Sequence, residues 1–185
     1  TADRARVGAR GWGVTSFTDR MIGAAKLDVR VYEEVEEDTS ATGQAMGVVL
    51  LASLANAIGV GVGGLDLFVV LGIASLIGWA ISAFTIYIVG AKLWPENQTR
   101  ADVGELMRTM GFAQAPGLLR VLGSFSGIGS LVLFPTSIWL LVTMVVAVRQ
   151  ALDYSSTPRA VGVCLVAWFL SNLLLAVPLL LFVTP

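Results

Sequence analysis

Apolar residues in this chain fall in long uninterrupted runs. No charge breaks residues 39–65, 67–91, 121–148 or 160–185. Each run exceeds the roughly 20 apolar residues that cross a bilayer core of about 30 Å as a helix. Backbone in hydrocarbon must satisfy its own hydrogen bonds, so the runs are read as helices. The pattern predicts spans over 44–63, 67–90, 128–148 and 161–182. A fifth stretch is shorter. Residues 109–119 are uncharged, Arg120 follows, and 121–127 are apolar or small. Segment 112–127 would cover only about 24 Å as an α-helix. Pro116 suits a first helical turn, and Gly123, Gly127 and Gly129 suggest a break. The third of five crossings is therefore expected to be short or broken.

Charge decides between four crossings and five. The segment before the first span holds Arg4, Arg6, Arg10, Arg20, Lys26 and Arg30. The next connection, 64–66, holds no basic residue, and connection 92–108 holds three. The turn near 124–127 holds none, connection 149–159 holds Arg149 and Arg159, and the C-terminus holds none. Five crossings put every basic connection on one side, with Arg120 inside the short span. The positive-inside rule then predicts a cytoplasmic N-terminus and an external C-terminus. Four crossings would leave Arg149 and Arg159 outside.

The first 38 residues read differently. Of the 25 charged residues in the 185-residue chain, 14 lie in the first 40. Residues 1–38 are read as a cytoplasmic segment and 39–185 as the helix bundle. Residues 1–20 carry no apolar core of the signal-peptide kind. Phe17, Met21, Ala24 and Ala25 recur at helical spacing among charges, predicting a short amphipathic helix on the membrane surface. A second is expected over 29–37, with Val31 and Val35 on one face. A third is expected over 102–109, with Asp102 as N-cap and Leu106 and Met110 facing lipid. Tyr87, Trp94 and Tyr154 are expected as interfacial anchors. The fold class is thus all-α, a polytopic bundle of about five spans with short amphipathic N-terminal helices.

Composition narrows the chemistry. Only 14% of residues are charged, against roughly a quarter in soluble domains, and mean hydropathy is +0.80. The chain has no histidine and one cysteine, Cys164. The usual general base and metal ligand are missing, and one cysteine makes no intrachain disulfide. No catalytic residue, metal site or cofactor is expected. A net charge of −1 gives no basic footprint for nucleic acid.

Several residues stand out. Arg120 is the one charge inside a predicted span, and such residues mark functional sites by default. Arg120 and Arg108 are candidate contacts for lipid headgroups, or structural anchors. Trp79, Trp139 and Trp168 lie deep within spans and are candidate partner-facing residues. The acidic run Glu33, Glu34, Glu36, Glu37 and Asp38 is a candidate partner surface or a solvated face. Gln44, Asn56, Ser171 and Asn172 are expected to make hydrogen bonds between helices. The Gly43/Gly47 and Gly123/Gly127 pairs, and the glycines from Gly59 to Gly64, are expected to let backbones approach closely.

Two stretches carry a family resemblance. Asp38-Thr-Ser-Ala-Thr-Gly-Gln-Ala45 leads into the first span. Leu106-Met-Arg-Thr-Met-Gly-Phe-Ala-Gln-Ala-Pro-Gly-Leu-Leu119 is followed by Ile138-Trp-Leu-Leu and Val146-Ala-Val-Arg-Gln-Ala-Leu152. Over about residues 15–185 these resemble the Yip domain family, membrane proteins named for interaction with Rab-type GTPases. An arginine, then Gly-Phe-Ala, then a proline entering a span is similar to that family's central signature. The resemblance implies five spans with a cytoplasmic N-terminus, and it supplies no catalytic residues. The short N-terminal region is more similar to the prokaryotic members, which implies a prokaryotic cytoplasmic membrane.

The first functional expectation is a non-enzymatic scaffold or accessory subunit of a larger membrane assembly. Its partners would be membrane lipids and other membrane protein subunits. The alternatives are a lipid- or small-solute-handling protein using Arg120, and a Yip-type trafficking or membrane-shaping factor.

Overall fold

A computed structural model describes residues 16–125 and 128–183, the side chains of 175–183 excepted. Arg4, Arg6, Arg10 and Gly127, which enter the topology and packing expectations, lie outside the described residues. The described residues are helical throughout, with no strand among them.

Two short helices lead. α1 is Phe17–Ala25, capped by Ser16, whose Oγ accepts from the Asp19 N–H at 3.2 Å. It ends where Leu27 takes φ 63° and the Asp28 N–H reaches back to the Gly23 carbonyl. That is a left-handed helix stop made without glycine. Asp28 then caps α2, Val29–Glu37. Asp38 caps a single 3-10 turn, Thr39–Ala41, that runs straight into α3, Thr42–Gly59. The two amphipathic helices therefore stand where their spacing predicts them.

Among the described residues, four helices are long and apolar enough to cross a membrane: Thr39–Gly59, Leu65–Leu93, Gly129–Ala151 and Thr157–Leu174. The second comprises α4, Leu65–Ile86, and a wider π-helical turn, Tyr87–Leu93. α6 is Gly129–Ala151, continuous through Pro135, and α7 is Thr157–Val183. Leu65, Val69, Val70, Ile73 and Ile77 stay exposed along α4, as a lipid-facing helix requires.

Between the second and third of these helices lie α5, Val103–Phe112, and a 3-10 segment, Ala115–Ser124. Asp102 caps α5 as expected, within a reciprocal capping box with Glu105. The 3-10 segment has Pro at its start, where the missing N–H costs nothing. It climbs beside α3 through glycine contacts. A Cβ on Gly111 would stand 2.7 Å from that of Ala45, one on Gly117 3.1 Å from that of Ala52, and one on Gly123 3.0 Å from the Gly59 carbonyl oxygen. Ala45 and Gly59 are about 21 Å apart along a helix axis. Residues 111–123, from the end of α5 through the 3-10 segment, thus run along most of α3. The close approach uses Gly59, Gly111, Gly117 and Gly123, not the Gly43/Gly47 pair. Gly43 faces open space and Gly47 only the Phe17 ring.

The core is dense at one end. Tyr32, Val35, Val48, Leu106, Met110, Phe112, Val148, Leu152 and Val163 are all fully buried there. Leu106 and Met110 therefore do not face lipid. α2, α3 and α6 surround α5 and turn that face into core. Tyr154 is likewise no interfacial anchor. It is buried, with its hydroxyl 2.8 Å from the Gly90 carbonyl and 2.7 Å from that of Trp94. It pins the π turn to the connection before α7. Burial pushes its phenol up.

Candidate functional site

Next to the dense end, α3, α4, α5, the 3-10 segment and α6 line a half-open cavity of about 350 Å³. That is the low end of the range for ligand sites, about 300–1,000 Å³. Each wall is one face of a helix. Ser53 and Asn56 come from α3, and Ser75, Trp79 and Ser82 from α4. The 3-10 segment repeats every three residues, so Gln114, Gly117 and Arg120 stack along one edge. Leu140 and Met144 of α6 close the far side. Trp79 is the central residue of the 29-residue span Leu65–Leu93.

Among the described residues, Arg120 is the only charged one lining the cavity. Its Nη1 donates to Asn56 Oδ1 at 3.0 Å and its Nη2 to Ser137 Oγ at 2.8 Å. A guanidinium carries five N–H bonds. The Nε is buried and meets no acceptor among the described residues, and neither does the indole Nε1 of Trp79. Among the described residues no carboxylate forms an ion pair with Arg120. A buried donor without an acceptor costs about 1–3 kcal/mol, and more when charged. The wall therefore presents surplus positive charge and surplus donors beside the midpoint of the span-length helix Leu65–Leu93.

Arg108 does something else. It is 6% exposed, and its guanidinium donates to the carbonyls of Val35 and Glu36 at the end of α2. It supplies donors to helix-end carbonyls and anchors the N-terminal pair to α5. Arg20 completes that clamp. It is 3% exposed and pairs with Glu34 at 2.9 Å and Asp38 at 2.7 Å. It also donates to Gln44 Oε1 at 3.0 Å. One arginine thus joins α1, α2 and α3.

The acidic run divides accordingly. Glu34 and Asp38 turn toward Arg20, and Glu33 accepts from Gln150 of α6 at 3.1 Å. Glu37 is exposed. Glu36 is half-buried, and its carboxyl is pushed up to about 7. Burial is the main cause, and Glu105, Asp153, Glu33 and Glu37 add to it.

The tryptophans divide too. Trp79 is 7% exposed, so the chain's own bundle leaves little of it for a partner. Trp139 is half-exposed, and its Nε1 donates to the Ala25 carbonyl of α1 at 2.8 Å. It stands beside α1 near the middle of the 23-residue α6, with its ring only partly covered. Trp168 is 67% exposed on α7. Of the polar span residues, Gln44 and Asn56 serve Arg20 and Arg120. Asn172 bonds within its own helix, and the buried Ser171 hydroxyl meets no partner.

The sequence reading singled out Arg120 and Trp79 separately and missed what joins them. The signal was present as spacing. Ser75, Trp79 and Ser82 share a face of an α-helix, as do Ser53 and Asn56. Gln114, Gly117 and Arg120 drift around an α-helix by about 120° and line up along one edge in a 3-10 helix. Among the described residues, no three Cys, Asp or Glu side chains gather as a metal site would need. Compared with protein-family models, with curated proteins and with solved structures, the chain matches none.

Proposed function

We propose that this chain is a non-enzymatic, multi-pass membrane protein that takes the anionic part of a lipid or small solute into the Arg120 cavity. One observation carries the reading: among the described residues, Arg120 is the only charge lining a cavity of about 350 Å³ whose wall includes Trp79, the midpoint of a span-length apolar helix. A charge in such a place is expensive and marks binding or transport sites by default. A phosphate or carboxylate entering the cavity would take up the spare guanidinium hydrogens, in a pair of the strong, charge-assisted kind.

The same reading makes the 3-10 segment the third of five crossings. Its support is the roughly 21 Å that residues 111–123, the end of α5 included, cover beside α3 and the side on which five crossings place the basic connections. The N-terminus is then cytoplasmic and the C-terminus external, in a prokaryotic cytoplasmic membrane if the Yip-type resemblance holds. Scaffolding within a larger assembly, the other expectation, keeps exposed Trp168 as its surface.

The test is a fluorescence titration of the purified full chain in mild detergent. Short-chain phosphatidylglycerol represents the lipid source and sn-glycerol 3-phosphate the soluble one. Binding is expected to change tryptophan emission in the wild type and in Trp139→Phe, and not in Trp79→Phe. Arg120→Gln is expected to weaken binding at least tenfold, and Arg120→Lys less. Response to the lipid alone names a lipid, and response to both names the anion. If neither probe binds, or Arg120→Gln binds as the wild type does, the reading fails.

A further inference from the structure

Two residues lining the Arg120 cavity hold buried donors that meet no acceptor among the described residues: Arg120 at Nε and Trp79 at Nε1. The hydroxyls beside them are already engaged. Ser53 Oγ donates to the Leu71 carbonyl at 3.4 Å, and Ser75 Oγ to the Gly72 carbonyl at 2.8 Å. A ligand therefore meets one guanidinium and one indole N–H, neither of which can accept a hydrogen bond. Both call for ligand oxygen.

Charge sets the second limit. Among the described residues lining the cavity, Arg120 supplies one positive charge, and no other side chain supplies a charge of either sign. The cavity lies beside Trp79, the midpoint of the span-length helix Leu65–Leu93. A charge without a counter-charge is costly in such a place. One negative charge brings the site to neutrality. A second negative charge would find no cation, and an ammonium on the ligand would find no carboxylate.

The rest of the wall asks for an apolar body. Met110, Leu140 and Met144 line the cavity with the Trp79 ring. A carboxylate or phosphate group alone fills only part of about 350 Å³. Space continues beside α4, where a Cβ on Gly78 would meet nothing within 4 Å. A bare anion would leave those side chains without contacts.

On the reading of Arg120 as an anion site, we propose that the ligand is a monoanionic amphiphile. Its single charge, a carboxylate or a phosphodiester, meets Arg120 and Trp79, and its apolar body lies against Met110, Leu140 and Met144. Dianionic phosphate monoesters are rejected, because no second cation meets them.

The test compares octyl sulfate, a monoanion throughout, with octyl phosphate, whose second ionisation lies at about pH 6. Binding to the full chain in mild detergent is followed by calorimetry at about pH 5 and about pH 8, on either side of that ionisation. Arg120→Gln reports partition into the micelle alone. Octyl sulfate is expected to bind alike at both pH values. Octyl phosphate is expected to match it at the lower pH and to bind at least about tenfold more weakly at the higher. Methyl sulfate, which lacks the apolar body, is expected to bind at least about tenfold more weakly than octyl sulfate. Gly78→Leu is expected to narrow that gap by filling the space beside α4, and Gly78→Ala to keep it. At the higher pH, octanoate and short-chain phosphatidylglycerol tell a fatty carboxylate from a phosphodiester lipid, and binding of either supports the proposal. If octyl phosphate keeps pace with octyl sulfate at both pH values, and Arg120→Gln abolishes both, the proposal is overturned while the anion site stands. Methyl sulfate binding as tightly as octyl sulfate overturns the amphiphile. If Arg120→Gln changes the binding of no probe, the anion site and the proposal fall together.

Discussion

Gly59 offers the sharpest test of the fold. It is the last residue of α3, where the 3-10 segment presses backbone against backbone. A Cβ there would overlap the Arg120 carbonyl oxygen and stand 2.8 Å from its carbon. Comfortable carbon–carbon contact is about 3.5–4.0 Å, so the segment would have to move away by about 1 Å. Neither side can yield by rotating a side chain. Overpacking of this kind typically costs about 1–3 kcal/mol, and the backbone contact puts Gly59→Ala near the upper end. Gly→Ala in a helix otherwise gains up to about 1 kcal/mol. Gly43→Ala, with nothing within 4 Å, isolates that gain. Gly111→Ala should fall between them, since its Cβ would meet the Ala45 side chain at 2.7 Å. The assay is reversible unfolding in mixed micelles of mild and denaturing detergent, followed by helical circular dichroism. The expected order of stability is Gly43→Ala, then Gly111→Ala, then Gly59→Ala. A Gly59→Ala protein as stable as Gly43→Ala would refute the parallel packing of the 3-10 segment on α3.

Three further outcomes follow from the N-terminal clamp. Arg20→Met should cost about 2 kcal/mol and raise hydrogen exchange across α1 and α2. That is below the ~3–5 kcal/mol of a fully buried pair, because Glu34 and Asp38 keep 23% and 29% exposure; unchanged exchange would contradict the clamp. Arg108→Lys keeps the charge but loses the planar fork to the Val35 and Glu36 carbonyls, and should cost about 1–2 kcal/mol in the same unfolding assay. Glu36 predicts a pH dependence. Its folded carboxyl titrates near 7 and its ordinary value is 4.5, so the folded state holds a proton that the unfolded state releases first. Its contribution is fully present below about pH 4.5 and is lost as pH rises to 7. The wild type should therefore lose stability relative to Glu36→Gln across that window and run parallel to it above; parallel curves throughout would rule out Glu36 as the source.

The short third segment explains how sequence and structure divide the work. Pro116 and the glycines announced an interrupted helix, because each acts through the local backbone. Its 3-10 winding was not legible, because it depends on lying against Gly59 and Ala52, distant in sequence. α5 makes the same point. Its capping box was readable from Asp102 and Glu105 alone, yet Leu106 and Met110 were assigned to lipid. An apolar stripe says that water is avoided and does not distinguish hydrocarbon from a protein core.

By itself the sequence determined the helical class, the four span-length apolar helices and the two short N-terminal helices. Those features follow from what each residue loses on leaving water, and that loss is a property of the residue and its near neighbours. It also marked Arg120 as anomalous. Only the tertiary structure decided where the arginines went. Arg20 and Arg108 found carboxylates and carbonyls from other helices and became structural, while Arg120 found an amide, a hydroxyl and a cavity. Electrostatic partnership acts over a few ångströms in space, and the residues that supply it lie 14 to 73 positions away along the chain.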